Sequence, residues 1–377
     1  MRRQERDPAP ACLARGLAPR LGDRLRVLHV RGREVWAGEG HRLLHSDDGG
    51  ANFRPLAVAP TSALVRGLSR FELPSRLLRS GLLGVTPLPS GDLLVLVRGA
   101  ILRHTPGSDR LQTVHRVSRG SRPLNLCVAP SGSVFFGEYF QNEDRAEVHV
   151  LGSGDGSAFE VVHTFPAGAI RHVHGIHADP HRGGLWVLTG DDGDEAGLWF
   201  TPDEFGTLEP VLRGTQAARA VSVLPLEDSL IVPSDTPQER NWIRRLEPET
   251  GHLECLHELP GSVFHMTRCG DLYALSTVVE RSHVNRDQRP ALLVSRDGLA
   301  WHEVARLKRD LTLLENQRAW FQWPTLLLPT GGSDGDRLLA SGQALAGAHD
   351  RLLQWDMEDL STLLPTRPAP FELRRSA

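Results

Sequence analysis

Between Leu25 and Asp356 the chain is written in short apolar runs, each cut off by a Gly, Asp, Asn or Pro turn, which is the pattern of many short strands. The runs group into a repeating unit. Each unit opens with an apolar strand, crosses a Gly or Asp turn into a second apolar strand, and closes with a polar turn and a strand rich in valine or aromatics. Units run from Leu25 to Val58 and from about Leu82 to Val117, then begin again near Pro123, Arg171, Ala218, Ser262 and Phe321. The first strands of the third to sixth units start near residues 124, 172, 219 and 264, a spacing of 45 to 48 residues that matches a four-stranded propeller blade. The expected fold is therefore all-β, a single β-propeller of seven four-stranded blades, with six as the alternative count. Residues 25–360 would form the propeller, 1–24 an N-terminal segment, and 361–377 a C-terminal tail. The last unit lacks a fourth strand, and residues near 13 to 20 are the candidates to supply it. Residues 61–80 and 308–320 fit no strand template, and Leu311 to Ala319 reads as a short helix.

The turn after the third strand of the first unit is Ser46-x-Asp48-x-Gly50-x-x-Phe53. Shorter copies stand at Ser153-x-Asp155-Gly156-x-x-Phe159 and Ser295-x-Asp297-Gly298-x-x-Trp301, with a degenerate one at Asp203 to Gly206. Asp155 to Asp203 is 48 residues and Asp203 to Asp297 is 94, close to one and two units. In such a turn Ser and Asp bond to nearby backbone, Gly supplies an unusual backbone angle, and the aromatic packs between sheets, so these aspartates read as structural. The phased turns resemble the Asp-box pattern, S-x-D-x-G-x-x-W, of the sialidase-like propeller superfamily. That resemblance implies the propeller fold, with the Asp-box turns on the face away from the site. The chain departs from sialidases proper: Val30-Arg31-Gly32 does not reproduce their early Arg-Ile-Pro element, and the only tyrosines are Tyr139 and Tyr273.

Composition narrows the chemistry. The chain has 377 residues, is 40% hydrophobic and carries a net charge of -3, which suits a soluble globular protein. Of its 43 basic residues only Lys308 is lysine, so a lysine Schiff base or a P-loop lysine would rest on that one position. Basic residues do not interleave with aromatics, which argues against nucleic-acid binding. No stretch has the apolar length of a signal peptide core or a membrane span, and the expected location is cytoplasmic. Cys12, Cys127, Cys255 and Cys269 form no CxxC pair and read as free thiols.

The most polar stretch within the repeat is Arg171 to Glu195. His172 and His174 alternate with Val173, Ala178 to Gly184 carries turn chemistry, and Leu185 to Thr189 is a second strand ending in Asp191, Asp192, Asp194 and Glu195. In an antiparallel blade, the start of the first strand and the end of the second lie on one face, around the channel. On that frame, first-strand starts present Arg122, Asn125, His172, His174, Arg219 and His265. Second-strand ends present Glu138, Tyr139, Asp191, Asp194, Asp235 and Glu280. Ionisable groups in four consecutive units at the buried centre are costly unless paired, hydrated or used.

Three chemistries fit these groups, and the sequence leaves them open. Paired carboxylates, Asp191 with Glu138 or Glu280, suit glycoside hydrolysis. Tyr139 with His172 or His174, with Arg219 neutralising a uronate, suits β-elimination. Two or three histidines with a carboxylate suit a divalent metal. The leading expectation is a carbohydrate-active enzyme, glycoside hydrolase or uronide lyase, with no required cofactor and an oligosaccharide or small-molecule ligand. Its catalytic candidates are Glu138, Tyr139, His172, His174, Asp191, Asp235 and Glu280. Arg122, Asn125, Asp194, Arg219 and His265 are the binding candidates. The alternatives are a non-catalytic propeller that binds a protein or peptide, and a metal-dependent enzyme using the His/Asp/Glu cluster.

Overall fold

The computed structural model describes residues 10–62, 65, 67, 76, 81–280, 282–310 and 322–365. The helix expected over Leu311 to Ala319 lies outside them. Strands form where the short apolar runs predict them, because each sheet is pressed between two neighbours and its central strands must be apolar on both faces. Gly184–Thr189 shows this: Leu185, Trp186, Val187 and Leu188 are all fully buried. The outermost strands are bare on one side, and Glu160–Phe165 is accordingly mostly exposed.

The strands make an all-β single propeller. Four-stranded antiparallel sheets are formed by residues 84–116, 127–165, 173–213 and 224–259, each in chain order from the channel outwards. A fifth contains Thr325–Leu327, Arg337–Gln343, Leu352–Asp356 and, at its outer edge, Arg20–Leu21. The remaining sheet has ten strands. Within it, 26–58 and 263–307 are two antiparallel four-stranded runs, and Leu13–Gly16 pairs with His302–Leu307 at the outer edge of the second. Cores lie between neighbouring sheets: Phe135, Val148 and Val150 meet Val173, Ile176 and Val187, while Ile231 and Ile243 meet Leu275, Leu293 and Trp301. Phe53 packs with Leu339 and Leu352, so the first four-stranded run meets the last sheet. Among the described residues no helix is long and apolar enough to cross a membrane, and the four cysteines are free thiols.

All four Ser/Thr-Asp turns link the third and fourth strands of their sheets. Ser46 Oγ accepts from Gly50 N at 3.0 Å, and Asp48 Oδ1 accepts from Ala51 N and Asn52 N at 3.0 Å each. Ser153 Oγ with Gly156 N and Ser295 Oγ with Gly298 N, both at 2.9 Å, repeat the arrangement. In the degenerate copy Thr201 replaces serine, its Oγ1 accepts from Phe205 N at 2.8 Å, and Phe205 takes the positive φ of 80° that glycine takes elsewhere.

One strand was not legible from the pattern. Thr330–Ser333, a Gly-rich stretch that reads as a turn, pairs in parallel with Arg26–Gly32 on one side and Val263–Cys269 on the other, bridging the two runs of the ten-stranded sheet. Gly331 makes this approach possible, since it has φ +85° and a Cβ there would stand 2.1 Å from Val30 O. Gly49 has a similar φ of +79° but open space around it. Gly331→Ala is expected to cost about 3 kcal/mol or more and Gly49→Ala only about 1 kcal/mol, read from urea unfolding midpoints. Equal losses would mean that the bridging strand is not held against Val30.

Candidate functional site

Backbone bonds within sheets and between neighbouring ones bring strand starts and strand ends onto one face. Val173 N donates to Glu138 O at 3.0 Å, Asp235 N to Arg219 O at 3.0 Å, Val263 N to Ser234 O at 3.1 Å, and Val278 N to Ser262 O at 2.9 Å. Residues at these positions therefore lie at one end of the sheets. His172 and His174 are buried, 4% and 2% exposed, with rings 5.0 Å apart.

Each histidine is oriented by a backbone carbonyl. His172 Nδ1 lies 2.9 Å from Phe140 O, and His174 Nδ1 lies 3.0 Å from Ala220 O. A carbonyl only accepts, so both Nδ1 atoms carry hydrogen and both Nε2 atoms point inward. The two Nε2 atoms are 3.1 Å apart, and Asp191 stands 3.2 Å from His174 Nε2 and 3.5 Å from His172 Nε2. Two inward Nε2 atoms and a carboxylate this close require positive charge among them, either protons on the imidazoles or a metal ion. Ligand atoms of the three residues all lie within 4.8 Å of one another.

Asp191 is also the hub of the surrounding charge. Arg219 Nη2 lies 3.0 Å from its Oδ1 and Arg171 Nη1 lies 3.2 Å from its Oδ2. Arg219 also donates to Asp191 O at 2.9 Å and reaches Asp235 Oδ2 at 3.5 Å, and Gln216 Nε2 donates to Asp191 O at 2.8 Å. Burial pushes the Asp191 carboxyl up, but hydrogen bonds and charge from His172 and His174 outweigh it and hold it well below the usual carboxylate range.

Tyr139 stacks on this pair, its ring 4.3 Å from His172 and 6.2 Å from His174. Burial, then the charges of Asp191 and Asp235, push its phenol up to about 12, with Arg122 and Arg219 pulling the other way. Burial and then Asp235 push Glu280 up to about 7. His265 is pushed down to about 4 by burial, with Arg122 adding to the shift.

The structure thus brings together Tyr139, His172, His174, Asp191, Arg219, Asp235 and Glu280, with Arg122 and His265 within electrostatic reach. It does not bring in three others. Glu138 is paired with Arg119 and accepts from His149 N at 2.9 Å. Asn125 clasps the backbone of Ile176 through both amide atoms, and Asp194 is exposed on its loop. Arg171 is the residue that sequence reasoning missed. It adjoins His172 at a first-strand start, and Gln141 fixes its guanidinium through two hydrogen bonds of 2.9 Å. Gln216, on a single 3-10 turn, carried no signal in the repeat.

No protein-family model matches the chain, and no curated protein matches it. Solved structures do. An oligogalacturonate lyase in complex with manganese is similar with TM-score 0.56 and 12% identity, over 89% of this chain and 92% of that one. A chain of the mitotic checkpoint complex is similar with TM-score 0.51 and 13% identity, over 94% of this chain and 98% of that one. A GH74 enzyme of Niastella koreensis gives TM-score 0.49 and 14% identity, over 76% of this chain and 46% of that one. At these identities the likeness establishes the β-propeller and says nothing of activity.

His265, His29 and His349 are each pushed by burial to about 4 from 6.5. Their folded values lie below the unfolded value, so the unfolded chain takes up protons first as the pH drops. Their stabilisation is complete above about pH 6.5 and is lost as pH falls through about 4. Melting temperature is therefore expected to fall steadily from pH 6.5 to 4, and His265→Gln should flatten part of that slope. An unchanged slope in that variant would show that His265 is not held neutral.

Proposed function

We propose that this propeller is a carbohydrate-active enzyme working at its channel mouth on acidic oligosaccharides, with a divalent cation held by His172, His174 and Asp191. The observation that carries the reading is the convergence of two oriented Nε2 atoms and a carboxylate. Charge supports the ligand class. Arg122, Arg171 and Arg219 surround the site, while Glu280, at about 7, is half neutral at that pH, so a loaded site is positive and favours an anion. We also count the two runs of the ten-stranded sheet as separate blades, which makes seven, and place the chain among Asp-box propellers on its four matching turns.

β-Elimination from a uronate is the reaction these groups suit best. A cation on the two histidines and Asp191 would supply charge for the substrate carboxylate as the neighbouring carbon loses its proton. His265, neutral above about 4, is the acceptor for that proton. Tyr139, protonated at neutral pH, donates to the departing glycosidic oxygen as the carbon–oxygen bond breaks and the double bond forms. Arg219 and Arg171 orient the carboxylate and offset its charge. The propeller neighbour that is an oligogalacturonate lyase makes oligogalacturonides the first substrates to try. One observation favours a second reading, hydrolysis: Glu280 at about 7 beside Asp235 has the environment of a general acid.

Protein stripped with chelator and titrated calorimetrically with Mn2+, Co2+ or Zn2+ is expected to bind one ion. His174→Gln and His172→Gln should each weaken binding at least tenfold. Equal binding by both variants would remove the metal assignment. With oligogalacturonides and the metal-loaded enzyme, elimination yields an unsaturated, ultraviolet-absorbing product, whereas hydrolysis yields only saturated reducing ends. The pH profile separates the readings as well. Elimination with His265 as base rises through about pH 4 and stays level past 7, while hydrolysis with Glu280 as acid declines as pH rises through about 7.

A further inference from the structure

Residues 138–142, which follow the second strand of the sheet 127–165, run alongside 171–173, which open the next sheet. Bonds cross between the two segments at each step. Val173 N donates to Glu138 O at 3.0 Å, His172 Nδ1 to Phe140 O at 2.9 Å, and Arg171 Nε and Nη2 to the two oxygens of Gln141 at 2.9 Å each. Asn142 closes the series. Its Nδ2 donates to Arg171 O at 2.8 Å and to Ala146 O at 2.9 Å, while its Oδ1 accepts from Ala146 N at 2.8 Å. Both ends of the amide are thus bonded, in a side chain that is buried. Asn142 also takes a positive φ of 36°, which asparagine tolerates better than most residues. The far side of its turn is fixed as well: Arg145 pairs with Glu195 and donates to Asp192 Oδ2 at 2.7 Å and to Asn142 O at 3.1 Å.

We infer that Asn142 is a positioning residue for the cation site: by gripping the main chain of Arg171 it holds Phe140 O against His172 Nδ1 and so aims His172 Nε2. The inference rests on the metal assignment proposed above and adds the residue that sets the geometry of one ligand. His172 keeps its aim only while Phe140 O stays opposite Nδ1, and Phe140 lies 32 residues away along the chain. The spacing is therefore set by the bonds that cross it. Phe140 and Gln141 lie between two clamps, Val173 N with Glu138 O on one side and Asn142 with Arg171 O on the other. A carboxamide suits this task because it donates and accepts at once, locking Ala146 and still offering an N–H to Arg171. Aspartate keeps the shape and the acceptor but has no N–H, so two carbonyls would lose their donor and face a carboxylate. Loss of a direct outer partner of a metal-binding histidine costs roughly ten- to a hundredfold in metal affinity. Asn142 acts one bond further out, so a loss of about fivefold is the expected scale.

The test uses the full chain, stripped of metal with chelator, as wild type, Asn142→Asp, Asn142→Gly and Arg103→Gln. Both replacements of Asn142 accept its positive φ. Arg103→Gln breaks a partly buried ion pair with Asp92 in the sheet 84–116 and is the control for lost stability. Mn2+ dissociation constants are read by calorimetry, ligand geometry by the visible absorption of bound Co2+, and folding by melting temperature. Asn142→Asp and Asn142→Gly are expected to weaken Mn2+ binding about fivefold or more and to change the Co2+ bands. Arg103→Gln should lower the melting temperature and leave both as in wild type. Wild-type affinity and Co2+ bands in a folded Asn142 variant would overturn the inference and leave the metal assignment standing. Equal losses in Arg103→Gln would overturn it too, since affinity would then follow overall stability. Failure of wild type to bind either ion overturns both. Ion binding that depends on Asn142, without cleavage of oligogalacturonides, upholds the inference and removes the carbohydrate reading.

Discussion

Radial packing of sheets is the constraint on which this structure depends. A sheet held between two neighbours has no wet face, so its central strands are mostly apolar, as Leu185 to Leu188 and Leu292 to Val294 show. Most of the charged groups described above stand where strands begin or end. The same packing that excludes charge from the sheets therefore concentrates it at one end of the channel.

Within that concentration Asp191 sets the order. It is approached by two histidines whose outer nitrogens are committed to Phe140 and Ala220, and by two guanidiniums held by other partners. None of the four can turn away without breaking a second bond, so the carboxylate stays ionised and the imidazole Nε2 atoms stay aimed inward. Rigidity of this kind is what a metal or a polarised substrate needs, because no side chain has to be ordered when it binds. Burial first, and then the neighbouring carboxylates, make Tyr139 and Glu280 harder to ionise than in water.

The blade register made much of this legible. A unit of 45 to 48 residues placed His172, His174, Asp191, Arg219, Asp235 and Glu280 on one face before any contact was known, because strand direction alone decides which end of a strand faces the channel mouth. The register could not say which way a side chain turns. Glu138 falls at a second-strand end like Asp191, yet Arg119 and the His149 backbone take its oxygens. Asn125 falls at a first-strand start and spends both amide atoms on Ile176. Arg171 went unnoticed although it adjoins His172, since a charged residue next to a strand looks the same whether it reaches inward or out.

By itself the sequence determined the strand rhythm and the four Ser/Thr-Asp turns, which rest on contacts between residues a few positions apart, and through the spacing of that rhythm the all-β propeller. Thr201 with Asp203 shows how firmly that local chemistry holds, since the turn forms even where Phe205 must take a glycine's backbone angle. Only the tertiary structure decided that Thr330 to Ser333 bridges the chain's first and sixth units and that Leu13–Gly16 and Arg20–Leu21 join two different sheets. These are pairings between residues tens or hundreds of positions apart, and nothing in a local pattern fixes the partner. They follow from where the sheets come to rest once their apolar faces are covered.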